Sequence, residues 1–225
     1  MYFSDEVGTK EFIEYVEEAK KGNYLQTIEM ADLKRTRGQF VFFVGLKDYD
    51  GKITYATMVT RLKLRIGFEY NISGFEIPSG ENNFKVFILG MKKFMKENNG
   101  IRMVIQPNIS YKTFDNLGND IGESNIKVTK FFLEEGFDHE YPRIGFNDNG
   151  NPFWIYVKNV EGFSYEKLTE TYNKTAIYSL KKTHQFGIKV RALEYSDLST
   201  FKKITEATSE RKKFHDKSLL YYREL

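Results

Sequence analysis

Apolar residues fall along this chain in two alternating rhythms, and the rhythms predict its elements. Phe12, Ile13, Val16 and Ala19 recur at helical spacing and predict a first helix closed by Gly22 and Asn23. A short helix is expected from Thr27, which can accept from the first free amides, with Met30 and Leu33 turned inward. Residues 39–46 and 53–64 read as β-strands joined by the turn Asp48-Tyr49-Asp50-Gly51, and residues 68–72 supply another strand. The strongest helical stripe is Phe84, Phe87, Ile88, Met91, Phe94 and Met95, stopped by Asn98-Asn99-Gly100. A short buried strand over 101–105 then runs into Pro107.

The pattern fades over residues 108–125, a polar connection of unusual length. It returns as a helix over 126–135, a strand around Trp154 to Val157 and a long helix over 165–185. A strand over 187–191 follows, then a helix carrying Leu198, Phe201, Ile204 and Thr208. Helices alternating with strands, with a hairpin near the front, predict an α/β (α+β) layer built on a mixed sheet.

Composition narrows the class. In 225 residues, 29% are charged and 40% hydrophobic, which describes a globular chain rather than a disordered one. No apolar run reaches transmembrane length, and the start of the chain is acidic without an apolar signal region. The absence of cysteine excludes disulfides, thiolate metal sites and a cysteine nucleophile. His139, His184 and His215 lack metal-ligand spacing, and neither a P-loop nor a G-x-S-x-G elbow occurs. These features fit a cytoplasmic protein. The net charge of +3 is too balanced for obligate tight nucleic-acid binding. Basic islands at 34–37, 61–65 and 181–182 alternate with acidic stretches at 11–18 and 115–123. Any one island reads first as a solvated face.

Several segments carry more than periodicity. Leu25 to Lys34 fits Q-[ST]-x-x-[WYM]-x-x-x-K, and Phe131 to Phe137 fits a helix-to-strand joint ending in Gly-Phe. Gly187-Ile188-Lys189-Val190 follows a basic helix. Thr208, Arg211 and Phe214 fit T-x-x-R-x-x-F, followed by Tyr221-Tyr222. In this order the set resembles the Fem peptidyltransferases of bacterial cell-wall synthesis, the FemA, FemB, FemX and MurM-like family, over residues 23–225.

That resemblance implies an acetyltransferase-like (GNAT-like) mixed sheet with flanking helices over 1–158, and the start of a second, incomplete domain of the same kind over 159–225. The implied reaction moves an amino acid from aminoacyl-tRNA to the stem peptide of a lipid-linked or UDP-linked peptidoglycan precursor. It needs neither cofactor nor metal, because the ester is already activated. A peripheral position at the inner membrane face is also implied. Apolar residues beyond 160 would lack partners, so instability, dimerisation or a longer parent chain is expected.

Site residues follow partly from spacing and partly from the resemblance. Lys174, Tyr178 and Lys181 share one helical stripe, where ammonium groups can hold a phosphate, although a solvated face is the plainer reading. The resemblance assigns that helix to the precursor's pyrophosphate, but Ala176 and Ile177 occupy places where the family carries arginine. It makes Lys34, expected to be exposed, a ligand of the precursor's phosphate region. Gln106 stands where the family has aspartate, and Ser73-Gly74-Phe75 where many members have Arg-Gly-Pro. Glutamine can orient an acceptor by hydrogen bonds but cannot take up a proton. Tyr111 is a candidate for stacking, and Arg211 for substrate binding or a structural role. Two rivals remain: a non-catalytic Fem-type binding module, and an acyl-coenzyme A acetyltransferase, which wants a Q/R-x-x-G-x-G/A loop that this sequence lacks.

Overall fold

The structure, a computed structural model, describes residues 1–19, 23–139 and 155–224. The chain forms two compact units, Met1–Ile126 with Leu220–Leu225, and Lys127–Leu219.

The first unit is built on a five-stranded sheet in the order β1-β2-β3-β4-β5, formed by Tyr2–Ser4, Phe40–Lys47, Ile53–Lys63, Phe68–Phe75 and Gly100–Pro107. Strands β1 to β4 are antiparallel. A crossover through helix α3, Glu81–Glu97, brings β5 parallel to β4. Helices α1, Thr9–Ala19, and α2, Ile28–Thr36, intervene between β1 and β2. This is the mixed sheet with flanking helices that the resemblance implied.

Local chemistry explains each element. Thr27 caps α2 by accepting from the Met30 amide at 3.2 Å, and Met30 and Leu33 lie half-buried beneath it. In the β2–β3 turn, Asp48 Oδ1 accepts from the Asp50 and Lys52 amides. All six apolar residues of the expected α3 stripe are buried. One sheet face packs Phe87 against Phe3, Tyr55 and Phe75, and Phe94 against Phe42 and Tyr70. The other face packs Phe43, Ala56 and Met58 against Phe12 and Ala31. Strand β5 is half-exposed rather than buried, because it is the edge of the sheet. The long polar connection holds a small hairpin, β6 (Thr113–Phe114) with β7 (Asp120–Ile121), closed by Asp115 Oδ1 accepting from the Leu117 and Asn119 amides.

The second unit contains α4 (Ile126–Glu134, whose first residue belongs to the first unit), α5 (Tyr165–Glu170), α6 (Lys174–Gln185) and α7 (Leu198–Lys212). The helix expected over 165–185 is broken at residues 171–173, where Asn173 accepts from the Ala176 amide at 2.8 Å and starts α6 afresh. The strand expected over 187–191 is absent: Gly187 ends the helix at φ +62°, and Val190 is 98% exposed. The strand expected at 154–157 falls partly on Trp154, outside the described residues, and Ile155 to Val157 form no strand. A strand needs a neighbour to take its amides and carbonyls, and none is present among the described residues of this unit. The last short helix, α8, spans Leu219–Arg223.

Candidate functional site

Strands β3 and β4 pair only from Thr60↔Asn71 to Lys63↔Phe68, and beyond that they separate. The gap is closed by a side chain. Gln26 sits in the 3₁₀ turn Tyr24–Gln26, is 7% exposed, and bridges the two strands with its amide. Its Oε1 accepts from the Met58 amide at 2.7 Å and from the Thr57 hydroxyl at 3.0 Å. Its Nε2 donates to the Ser73 carbonyl at 2.7 Å and more weakly to that of Met58 at 3.4 Å. The glutamine amide thus replaces a missing rung of the ladder. Opposite it, Gly74 takes φ +71°, and a Cβ there would lie 2.8 Å from Asn23 Nδ2, so the β4 bulge at this point requires glycine.

From Gln26 the contacts run on to the carboxyl end of the parallel pair. Ser73 is registered with Gln106, and its hydroxyl donates to Gln106 Oε1 at 3.1 Å. Asn108 Nδ2 donates to Glu76 Oε1 at 3.0 Å, and the Asn108 amide donates to the Phe75 carbonyl. The carboxyl ends of parallel strands commonly receive ligands in open α/β sheets. Gln106 is exposed at this edge. Tyr111 lies just beyond it, 52% exposed, its carbonyl accepting from the Asn125 amide.

Behind the bulge, Tyr15, Gln26, Tyr55, Thr57, Phe75 and Glu76 line a cavity of about 40 Å³. That is far below the several hundred Å³ of a ligand pocket. Burial pushes the Tyr55 phenol well above its usual range, and desolvation also raises that of Tyr15. Both phenols therefore stay neutral at physiological pH, and their rings pack edge to face at 6.0 Å.

The remaining site candidates are dispersed. Lys34 lies in the last turn of α2, half-buried rather than exposed. No hydrogen bond or ion pair joins it to Gln106 or Tyr111 among the described residues. The helical rise sets it about 9 Å along the axis from Ile28. In the second unit, Lys174, Tyr178 and Lys181 are exposed along α6, and the ammonium of Lys182 lies 4.8 Å from the Tyr178 ring centre. Arg211 is exposed in the last turn of α7. Tyr221 and Tyr222 pack edge to face, with the Arg37 guanidinium 4.2 Å from the Tyr221 ring and 3.6 Å from Glu224.

The bridging role of Gln26 was missed in the sequence. Its signal was the glutamine heading the Leu25 to Lys34 element, whose partners lie more than thirty residues away.

The mixed sheet with its α3 crossover and flanking helices is an acetyltransferase-like fold. Within that class the chain belongs to the FemAB family, whose model matches residues 7–225. Among similar proteins, the aminoacyltransferase FemB of Staphylococcus epidermidis is 20% identical over 96% of this chain and 53% of its own length. The aminoacyltransferase FemA of the same species is 24% identical over 95% of this chain and 52% of its own. The crystal structure of FemX superposes with a TM-score of 0.73 at 16% identity, over 100% of this chain and 54% of that one. The chain spans about half the length of the curated relatives it matches. Among the described residues, no helix is long and apolar enough to cross a membrane.

Proposed function

We propose that this chain acts in transferring an amino acid from aminoacyl-tRNA to the stem peptide of a peptidoglycan precursor. The observation that carries the reading is the family match over residues 7–225, joined to relatives named aminoacyltransferases. In this reading residues 1–158 form the first acetyltransferase-like domain and 159–225 begin the second. A primary amine of the stem peptide attacks the ester carbonyl of the aminoacyl-tRNA, the C–N bond forms as the C–O bond breaks, and the ribose oxygen leaves as a hydroxyl with the proton that the amine gives up. The ester needs no further activation, so the protein contributes positioning and a dipole aimed at the developing oxyanion.

By chemical type alone, Lys34, Lys174 and Lys181 are assigned as point charges for the acceptor's phosphates, Gln106 and Tyr111 as groups that orient its sugar or peptide, and Tyr178 and Arg211 as further substrate-binding candidates. Mass-spectrometric detection of amino acid transfer to a muramyl-peptide precursor tests the reading. Within it, Lys34→Ala weakens binding of a pyrophosphate-bearing precursor by about 1–3 kcal/mol. Gln106→Asp maintains or raises transfer and Gln106→Leu impairs it, since only aspartate restores a proton acceptor beside Ser73.

A second reading, a non-catalytic module that holds a precursor or a partner enzyme, is favoured by Gln106 in place of an acid and by the bare apolar surface of the second unit. Precursor binding without transfer selects it.

A further inference from the structure

Strands β3 and β4 separate beyond Thr60↔Asn71, and the side chains that enter the gap leave one buried group unserved. Gln26 replaces a rung of the ladder at the Met58 amide. Two residues earlier in β3, the Ala56 amide is directed at the Tyr15 hydroxyl, which reaches in from α1. Alternate residues of a strand turn their amides to the same side, so both groups would otherwise point across the gap without a partner. Tyr55 differs. The residue is 4% exposed, and its hydroxyl has no hydrogen-bond partner among the described residues. The nearby Thr57 hydroxyl gives its hydrogen to Gln26 Oε1 at 3.0 Å. Edge-to-face contacts with Phe87 at 5.1 Å and Tyr15 at 6.0 Å hold the ring, so the hydroxyl cannot swing out to solvent. A buried hydroxyl left unpaired carries its whole desolvation cost.

The hole that Tyr55 lines has room for the missing partner. It measures about 40 Å³, whereas one water needs about 10–15 Å³ and two to four polar neighbours. The lining supplies them in the Gln26 amide, the Tyr15 hydroxyl and the Glu76 carboxylate. Glu76 is exposed and marks the side where the hole meets solvent, with its Oε1 accepting from Asn108 Nδ2 at 3.0 Å. The hole is too small for a sugar or a nucleotide. Neither lysine nor arginine lines it, so an anion would find no counter-charge.

We propose that the gap between β3 and β4 is a hydration site, in which at least one ordered water bonds to the Tyr55 hydroxyl and onward to polar groups of the lining. The water serves as a rung of the ladder, as the Gln26 amide does a few ångströms away. It gives the separation of the strands a physical basis: β3 and β4 stay apart without leaving a polar group unpaired between them. The site rests on no property of the transfer reaction.

The test joins a crystal structure of the whole chain, at a resolution that places waters, to denaturant unfolding of Tyr55→Phe. Density is expected within about 2.5–3.0 Å of Tyr55 Oη. Tyr55→Phe removes one oxygen and should leave the circular dichroism unchanged. It should raise the unfolding equilibrium constant on the order of fivefold, as loss of a made hydrogen bond does. In a dry hole the sign reverses, because the substitution then removes a buried hydroxyl that bonds to nothing. The proposal is overturned by a hole without density, by a Tyr55 hydroxyl turned onto a protein group, or by a Tyr55→Phe variant at least as stable as the parent. Density that appears only in crystals grown with potassium or ammonium overturns it in favour of a cation site. Both measurements omit precursor and tRNA, so neither depends on the transferase reading.

Discussion

The two units answer the same kind of apolar patterning in opposite ways. In the first, Tyr70, Ile72, Phe87, Ile88 and Met91 are wholly buried, and the strand rhythms are matched by neighbouring strands. In the second, Leu198 and Ser209 are the buried residues among those described, while Tyr156, Val157, Phe186, Ile188 and Val190 stand largely in water. Its helices are held by local devices: the Asn173 cap, the Arg191–Asp197 pair and the Lys202–Asp216 pair. A side-chain pattern therefore specifies an element only where a partner surface completes it. The expected apolar exposure beyond residue 160 is present.

The largest expected difference lies in packing. Phe87→Ala should cost about 3–5 kcal/mol in denaturant unfolding, because three aromatic neighbours lose their contact and collapse only partly. Val190→Ala should change stability by less than about 0.5 kcal/mol. Comparable losses at both positions would break the contrast between the units. Next comes Gln26→Leu, similar in size but without an amide. It strands the Met58 amide and the Ser73 carbonyl between strands that no longer pair. A loss of about 3 kcal/mol is expected, with faster hydrogen exchange at Met58. Unchanged exchange there would mean that the strand gap holds without its bridge.

These expectations show where the sequence was legible. The α3 stripe, the Thr27 cap and the Asp48 to Gly51 turn are short-range signals, each completed within a few residues. Family and fold were legible through the order of motifs, not through any single one. The Gln26 bridge was hidden because its meaning lies in residues distant in sequence. The exposed β5 edge was hidden because an apolar run does not reveal whether a strand is central. The expected strand at 187–191 failed for the complementary reason: Ile188 and Val190 alternate correctly but have no ladder to join. Among the site candidates, the adjacency of Gln106 and Ser73 depends on the parallel register, which the sequence does not display.

A smaller effect sharpens the contrast from the side of the second unit. If its helices rest on local devices, removing one should be felt locally. Asn173→Ala should cost about 1 kcal/mol of α6 stability, read as faster exchange of its first-turn amides, with little change in the first unit. Exchange that quickens equally in the first-unit strands would show the units unfolding as one.

The smallest effect is electrostatic and separates the units by pH. Glu11 in the first unit accepts from the Gly8 amide at 2.8 Å and pairs with Lys47 at 3.2 Å, and these contacts hold its carboxyl below the ordinary value of 4.5. Asp197 in the second unit is likewise held below its ordinary 3.8, chiefly by Arg191. For a carboxylate whose folded pKa is depressed, the stabilisation is complete above the unfolded value and disappears as pH falls through the folded one. Glu11 is partly exposed, so solvent screening keeps its contribution below about 1 kcal/mol. Glu11→Gln retains an acceptor for Gly8 but loses the charge. It should flatten the decline of first-unit stability below pH 4.5 and leave that of the second unit unchanged. Asp197→Asn should do the reverse below 3.8, read by amide exchange resolved for each unit. An acid transition common to both units and moved by either substitution would show that the local devices of the second unit are coupled to the core of the first.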